Sequence, residues 1–308
     1  MEEERKHPWS WPELVGVFLL GFAGPALASQ VLAHTGFFAW QYGQEVVDLA
    51  LARGSPPGAD LARARLGLWA VILALPLQLA GAIGLMRACG ATLAQMGVTW
   101  DGAGRQAMAS LALGLVLMPA VWGVHALTMW ACGPAEDHVF TKLARAGLSR
   151  GEWALLVFAA CVAAPLWEEL FYRGLVQPWA MESRPEGGLT CLAAALAVAV
   201  AVRAELIWGA SSLAALAMAL VPALAVLAAA LPFAALRRRP AGGLWAAAVF
   251  FAFIHASVWP TPVPLLLLAL GLGWLRARWG SLTGPVLLHA IFNAVACTAL
   301  ALQAAKGW

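Results

Sequence analysis

Charge is scarce in this chain. Of its 308 residues only 11% are Asp, Glu, Lys or Arg, while 62% are hydrophobic and the mean hydropathy is +0.78. A soluble domain carries about 25% charged residues, so a water-soluble globular fold is excluded. Long basic runs are missing too. The stretch "LRRRP" at 236–240 reads as the flank of an apolar segment, and the net charge is only +3. No nucleic-acid partner is expected from that balance. The five cysteines, Cys89, Cys132, Cys161, Cys191 and Cys297, form no Cys-x-x-Cys, and His-Glu-x-x-His occurs nowhere. The cysteines therefore read as small hydrophobes, not as ligands or disulfides. Internal repeats, which many transporters show, are absent, as is any separate soluble domain.

What fills the chain is apolar sequence in runs near twenty residues, the length that crosses a bilayer. Such runs fall at about 12–33, 66–88, 107–131, 152–180, 190–208, 212–236, 244–259, 261–276 and 282–304. The expectation is an all-α, polytopic transmembrane helical bundle of about eight or nine spans, with an active-site cavity within the membrane. The first run lacks a small-residue cleavage site and reads as a retained span. Two polar stretches, about 34–65 and 133–151, suit short interfacial helices. Trp9, Trp11, Trp179 and Trp308 stand at segment ends, as an aromatic belt requires. With the N-terminus inside, about ten Lys and Arg fall on the inner side, Arg5 and Lys6 among them, against about seven outside.

Against this background a few polar residues stand out, since charge in a span is costly. In "PLWEELFYRG", Glu169 and Arg173 are four apart and can pair on one helical face. Glu168 has no such partner. It is either a helix end emerging into water or a carboxylate with work to do. In "FFAFIHASVWP", Phe251 lies four before His255 and can brace its ring. In "GSLTGPVLLHAIFNAV", His289 and Asn293 share a face. That pair is either interhelical hydrogen-bond glue or chemistry. At 1.5 Å per residue, Glu168, His255 and His289 lie about 18, 16 and 11 Å from the cytoplasmic ends of their spans. Polar groups at similar depth on three helices suggest one cavity. A carboxylate, two imidazoles and a carboxamide are the parts for activating water and holding an oxyanion.

These three motifs, in this order, resemble the CPBP intramembrane endopeptidases, also called the Abi or CAAX protease family. The pattern EExxxR, FxxxH, HxxxN is matched by Glu168-Glu169 with Arg173, by Phe251 with His255, and by His289 with Asn293. The flanks "FYRG" and "LGWLRARWGSLTGPVLLHA" match as well. The resemblance covers about 150–300, which divides the chain into N-terminal spans and interfacial segments (1–150) and a catalytic membrane core (151–308). About 77 residues separate Arg173 from Phe251, more than the family usually has, and the excess reads as an inserted helical pair at about 188–236.

The resemblance implies a glutamic-type intramembrane protease, a hydrolase needing no cofactor. Glu168 would be the general base, His255 would hold the water, and His289 and Asn293 would donate to the oxyanion. Glu169, Arg173 and Phe251 would support them. A zinc peptidase with Glu168, His255 and His289 as ligands is the nearest alternative. A non-catalytic transporter or adaptor is the other. The expected partners are membrane lipid and a protein or peptide substrate with a membrane-associated tail. Family members cleave prenylated proteins, bacteriocin-type peptides or C-terminal sorting tails. The richness in Ala, Trp and Arg reads as bacterial, which favours a sorting tail and an inner-membrane location.

Overall fold

The computed structural model describes residues 7–52, 56–133 and 139–306. Among these residues the chain is all helix and loop, with no strand. In chain order the helices are α1 Trp11–His34, α2 Phe37–Tyr42, α3 Gln44–Leu51, α4 Ala59–Ala88, α5 Ala103–Cys132 and α6 Val139–Arg145. The long motif helix α7 then runs Arg150–Glu182. It is followed by α8 Glu186–Ala201, α9 Ala204–Trp208, α10 Leu213–Leu236, α11 Pro240–Phe253, α12 Pro262–Trp279 and α13 Thr283–Lys306. Six of them, α1, α4, α5, α7, α10 and α13, are long and apolar enough to cross a membrane, and α8 and α11 are shorter apolar helices. The chain is therefore an integral, multi-pass membrane protein. The two polar stretches hold α2, α3 and α6. Arg5, Lys6, Trp308 and parts of the two polar stretches (53–55, 134–138) lie outside the described residues.

Two expected spans end early. The run at 190–208 breaks after Ala201, where Arg203 enters a turn before the short α9. The run at 244–259 stops at Phe253. Beyond it, His255 and Ala256 bond back only three residues, to the carbonyls of Ala252 and Phe253, as the chain tightens ahead of Pro260. His255 thus sits just past a helix end, not inside a span. The aromatic belt also needs correction. Trp9 and Trp179 are buried, whereas Trp11, Trp40, Trp100, Trp130 and Trp208 are exposed at or near helix ends.

The fold forms two compact units. One comprises 1–11, 91–136 and 169–288, and the other 12–90, 137–168 and 289–308. The chain passes between them five times, and two of the passages fall well inside long helices: within α7, between Glu168 and Glu169, and within α13, between Leu288 and His289. In the second unit, α1 to α4 close around Phe38, Leu32, Val47 and Leu66. A second cluster joins α4, α6, α7 and α13 through Leu68, Leu143, Leu156 and Cys297. There α7 opens with a capping box. Ser149 Oγ accepts from the Glu152 N–H at 3.2 Å, and Glu152 accepts the Ser149 N–H at 2.8 Å. Glu152 also takes Arg65 of α4 at 2.9 Å. In the first unit, α7 past residue 169, α8, α10, α11 and α12 pack as neighbours, with α5 against α12.

Candidate active site

The motif helix is not a regular α-helix. It contains two π-helical stretches, Ala159–Ala163 and Leu170–Val176, which bracket the two glutamates. Each is followed by a proline, and the combination has a definite consequence. In the first stretch the Ala164 N–H bonds to the carbonyl of Ala159, five residues back. The carbonyl of Ala160 would next take the N–H of residue 165, but that residue is Pro165, which has none. The Asn293 amide supplies the missing donor: Nδ2 lies 2.6 Å from the Ala160 oxygen. In the second stretch the Gln177 N–H bonds to the Tyr172 carbonyl. The carbonyl of Arg173 is then left facing Pro178. Here the donor is Arg276 of α12, whose Nε lies 3.0 Å from the Arg173 oxygen. Pro25 in α1 creates the same defect four residues back, at Gly21, and Gln78 Nε2 donates to that carbonyl at 3.0 Å. Buried backbone carbonyls in a membrane require partners of this kind.

The second unit holds the reactive-looking half of the motifs. His289 and Asn293, one turn apart on α13, both meet α7. His289 Nε2 lies 4.0 Å from Glu168 Oε2. Asn293 reaches Ala160, so α13 runs antiparallel to α7 there. His289 is 6% exposed and Glu168 20%. The Glu168 carboxylate borders a cavity of about 380 Å³, whose other walls include Gly21, Pro25, Gln78, Leu75, Ala163 and Trp167. The cavity thus lies where Pro25 and Pro165 interrupt two neighbouring helices, and it is apolar apart from Glu168, Gln78 and Arg63. Gly21 makes room for the Trp167 indole: a side chain there would press on Cζ2 at 2.9 Å.

The first unit holds Glu169, Arg173, Phe251 and His255. Glu169 and Arg173 pair at 3.0 Å, with 0% and 2% of their side chains exposed. The pairing expected from their spacing is therefore present and dry. The Arg173 guanidinium also stacks on Phe251, 4.0 Å from the ring centre, and donates to the Ala269 carbonyl at 3.3 Å. Phe251 in turn braces His255, with ring centres 5.5 Å apart. His255 Nδ1 lies 3.1 Å from the Phe251 carbonyl oxygen. A carbonyl only accepts, so Nδ1 carries the hydrogen, and Nε2 of the neutral ring keeps its lone pair. An unbroken line of contacts therefore runs from Glu169 through Arg173 and Phe251 to the imidazole.

Arg276 was legible only as a charged flank. It is buried, and besides Arg173 it binds the Gln95 carbonyl through Nη2 at 3.0 Å. Gly97, at φ +81°, lets the loop pass over it, since a Cβ there would meet Arg276 Nε at 2.9 Å. The signal that points to it is Pro178, five residues after Arg173. A proline inside a helix demands a donor from elsewhere. Among the described residues, no three His, Cys, Asp or Glu side chains gather as a metal site.

Comparison with known proteins agrees with the motifs. Neither a curated protein nor a solved structure matches the chain. The family model described as "Type II CAAX prenyl endopeptidase Rce1-like" matches residues 150–246 and 226–295. Its first stretch runs through the residues read as an insertion. Together the two stretches contain every motif residue from Glu168 to Asn293. Through residues 150–295 the chain is thus similar to the Rce1-like family of CAAX prenyl endopeptidases.

Proposed function

We propose that the protein is an intramembrane endopeptidase in which Glu168 activates water. The observation that carries this reading is the Glu168 carboxylate at the edge of an apolar cavity, facing His289 Nε2 across 4.0 Å. A water hydrogen-bonded to both atoms, at about 2.8 Å from each, fits that gap. Glu168 takes one proton from the water as its oxygen adds to the scissile carbonyl. The negative charge that develops on the carbonyl oxygen is met by His289 and by the second N–H of the Asn293 amide, the first being engaged by Ala160. Glu168 then gives up that proton to the departing nitrogen. The C–N bond breaks, leaving a carboxylic acid and an amine. Glu169, Arg173 and Phe251 hold His255 in place.

The walls of the cavity favour an apolar segment, and the proposed substrate is a protein with a C-terminal membrane tail of the sorting type, cleaved in a bacterial inner membrane. Cleavage of a reporter carrying such a tail, by the purified chain in proteoliposomes, tests the mechanism. Activity is expected to persist in excess chelator and to vanish in Glu168→Gln. Activity lost to chelator and restored by zinc would instead assign Glu168, His255 and His289 to a metal. Unimpaired cleavage by Glu168→Gln would remove the carboxylate from the mechanism.

A further inference from the structure

Beside α7 the first unit contains a feature that proteolysis does not use. The helices α8 and α10 pack on each other, with Phe233 lying against Gly188. Between them opens a cleft of about 730 Å³. Leu189 and Leu192, in the first two turns of α8, and Phe233, in the last turns of α10, make it apolar. At the helix ends its lining changes to Arg184, Arg237 and Arg238. The Arg184 guanidinium donates to the Arg238 carbonyl at 3.1 Å, tying the two turns together.

Three arginines thus gather at one end of the cleft. All three arginines are exposed, and none is in a salt bridge among the described residues. The one carboxylate on the cleft, Glu182, faces His7 at 3.8 Å. Guanidinium groups bind phosphate oxygens through paired N–H donors. The apolar wall continues inward for about two turns, roughly 10 Å. Leu189 is exposed beside it and so is Leu231 on α10. An anionic head over an acyl chain matches this sequence of surfaces.

We propose that the cleft between α8 and α10 binds an anionic phospholipid, its phosphate on Arg184, Arg237 and Arg238 and an acyl chain along Leu189, Leu192 and Phe233. The site gives the helical pair at 188–236 a role in seating the protein among lipids, and it stands whether or not the chemistry proposed above is right.

Native mass spectrometry of the full chain, released from mixed phosphatidylglycerol and phosphatidylcholine, tests it. The wild type is expected to retain phosphatidylglycerol selectively and to gain thermal stability from it but not from phosphatidylcholine. Removing basic side chains beside anionic lipid weakens retention about fivefold for each arginine, so R237Q/R238Q should lose on the order of 25-fold. Ala234→Trp keeps every charge but fills the cleft, and should lose retention as well. R105Q removes an exposed arginine on α5 and should change nothing. Excess inorganic phosphate should not displace the lipid. The proposal fails if Ala234→Trp retains lipid normally or if R105Q weakens retention as much per charge as R237Q/R238Q, since the arginines would then be a diffuse flank. It fails equally if free phosphate displaces the lipid, or if the wild type shows neither selectivity nor stabilisation.

Discussion

The two ends of the motif helix solve one problem in two ways. Before Glu168, a π-helical stretch ending at Pro165 leaves the Ala160 carbonyl to a neutral amide, Asn293, in a wall that opens onto a cavity. After Glu169, a π-helical stretch ending at Pro178 leaves the Arg173 carbonyl to a guanidinium, Arg276, and residues 170 to 177 are all buried. The amide keeps a second N–H in reserve. The guanidinium spends two of its nitrogens on backbone oxygens. The same division separates the adjacent glutamates: one is partly open and faces an imidazole, the other is sealed against an arginine. Openness to a cavity marks one side, and burial against a charged partner the other.

The sharpest way to break this contrast is to neutralise each glutamate in turn. Glu168→Gln should fold normally and lose about 100- to 10,000-fold in turnover, the range of a positioned general base. Glu169→Gln strands Arg173, and breaking a buried pair this way costs about 3–5 kcal/mol. Its main effect should be lost thermal stability in detergent, with turnover per folded molecule less affected. Two folded, equally inactive variants would erase the distinction.

Next in size is Arg276→Leu, which leaves the carbonyls of Arg173 and Gln95 without their donor. Each buried group left unsatisfied costs about 1–3 kcal/mol, to be read as a lowered unfolding midpoint. An unchanged midpoint would mean that Arg276 does not cap the helix.

The smallest and most discriminating effect belongs to Pro165. Asn293→Ala strands one carbonyl, should destabilise by about 1–3 kcal/mol and, if the spare N–H meets the oxyanion, should lower turnover about 100- to 1000-fold. Pro165→Ala supplies the missing N–H from within the helix. Added to Asn293→Ala it should recover the stability but not the turnover. Such a cycle isolates the coupling between the two positions. If turnover returns with stability, Asn293 is interhelical glue alone.

Much of this was readable from residue spacing. Four-residue separations foretold the Glu169–Arg173 pair, the Phe251–His255 contact and the common face of His289 and Asn293, because those contacts depend only on helical geometry. Hydropathy likewise located the long helices. It could not locate the π-helical stretches, because an extra residue per turn leaves apolar content unchanged. Arg276 resembled any basic flank until the carbonyl beneath it was known. Trp9 sat at a segment end like a belt residue, yet its indole turns inward to the Leu175 carbonyl at 3.2 Å, a contact 166 residues distant in the chain. The early end of α11 was hidden for a related reason: "FFAFIHASVW" is apolar enough to continue, and only the tightening toward Pro260 stops it.

The π-helical stretch at Ala159–Ala163 makes the spacing of α7 an issue of count as well as composition. A π turn accommodates one residue more than an α turn, and each residue along a helix swings the next side chain by about 100°. Deleting one alanine there would leave every motif letter intact and restore regular winding. The residues on either side would then stay in phase with each other, because an α turn closes the same circle with one residue fewer. For this helix, the wide turn admits one residue more without turning the signature residues out of register.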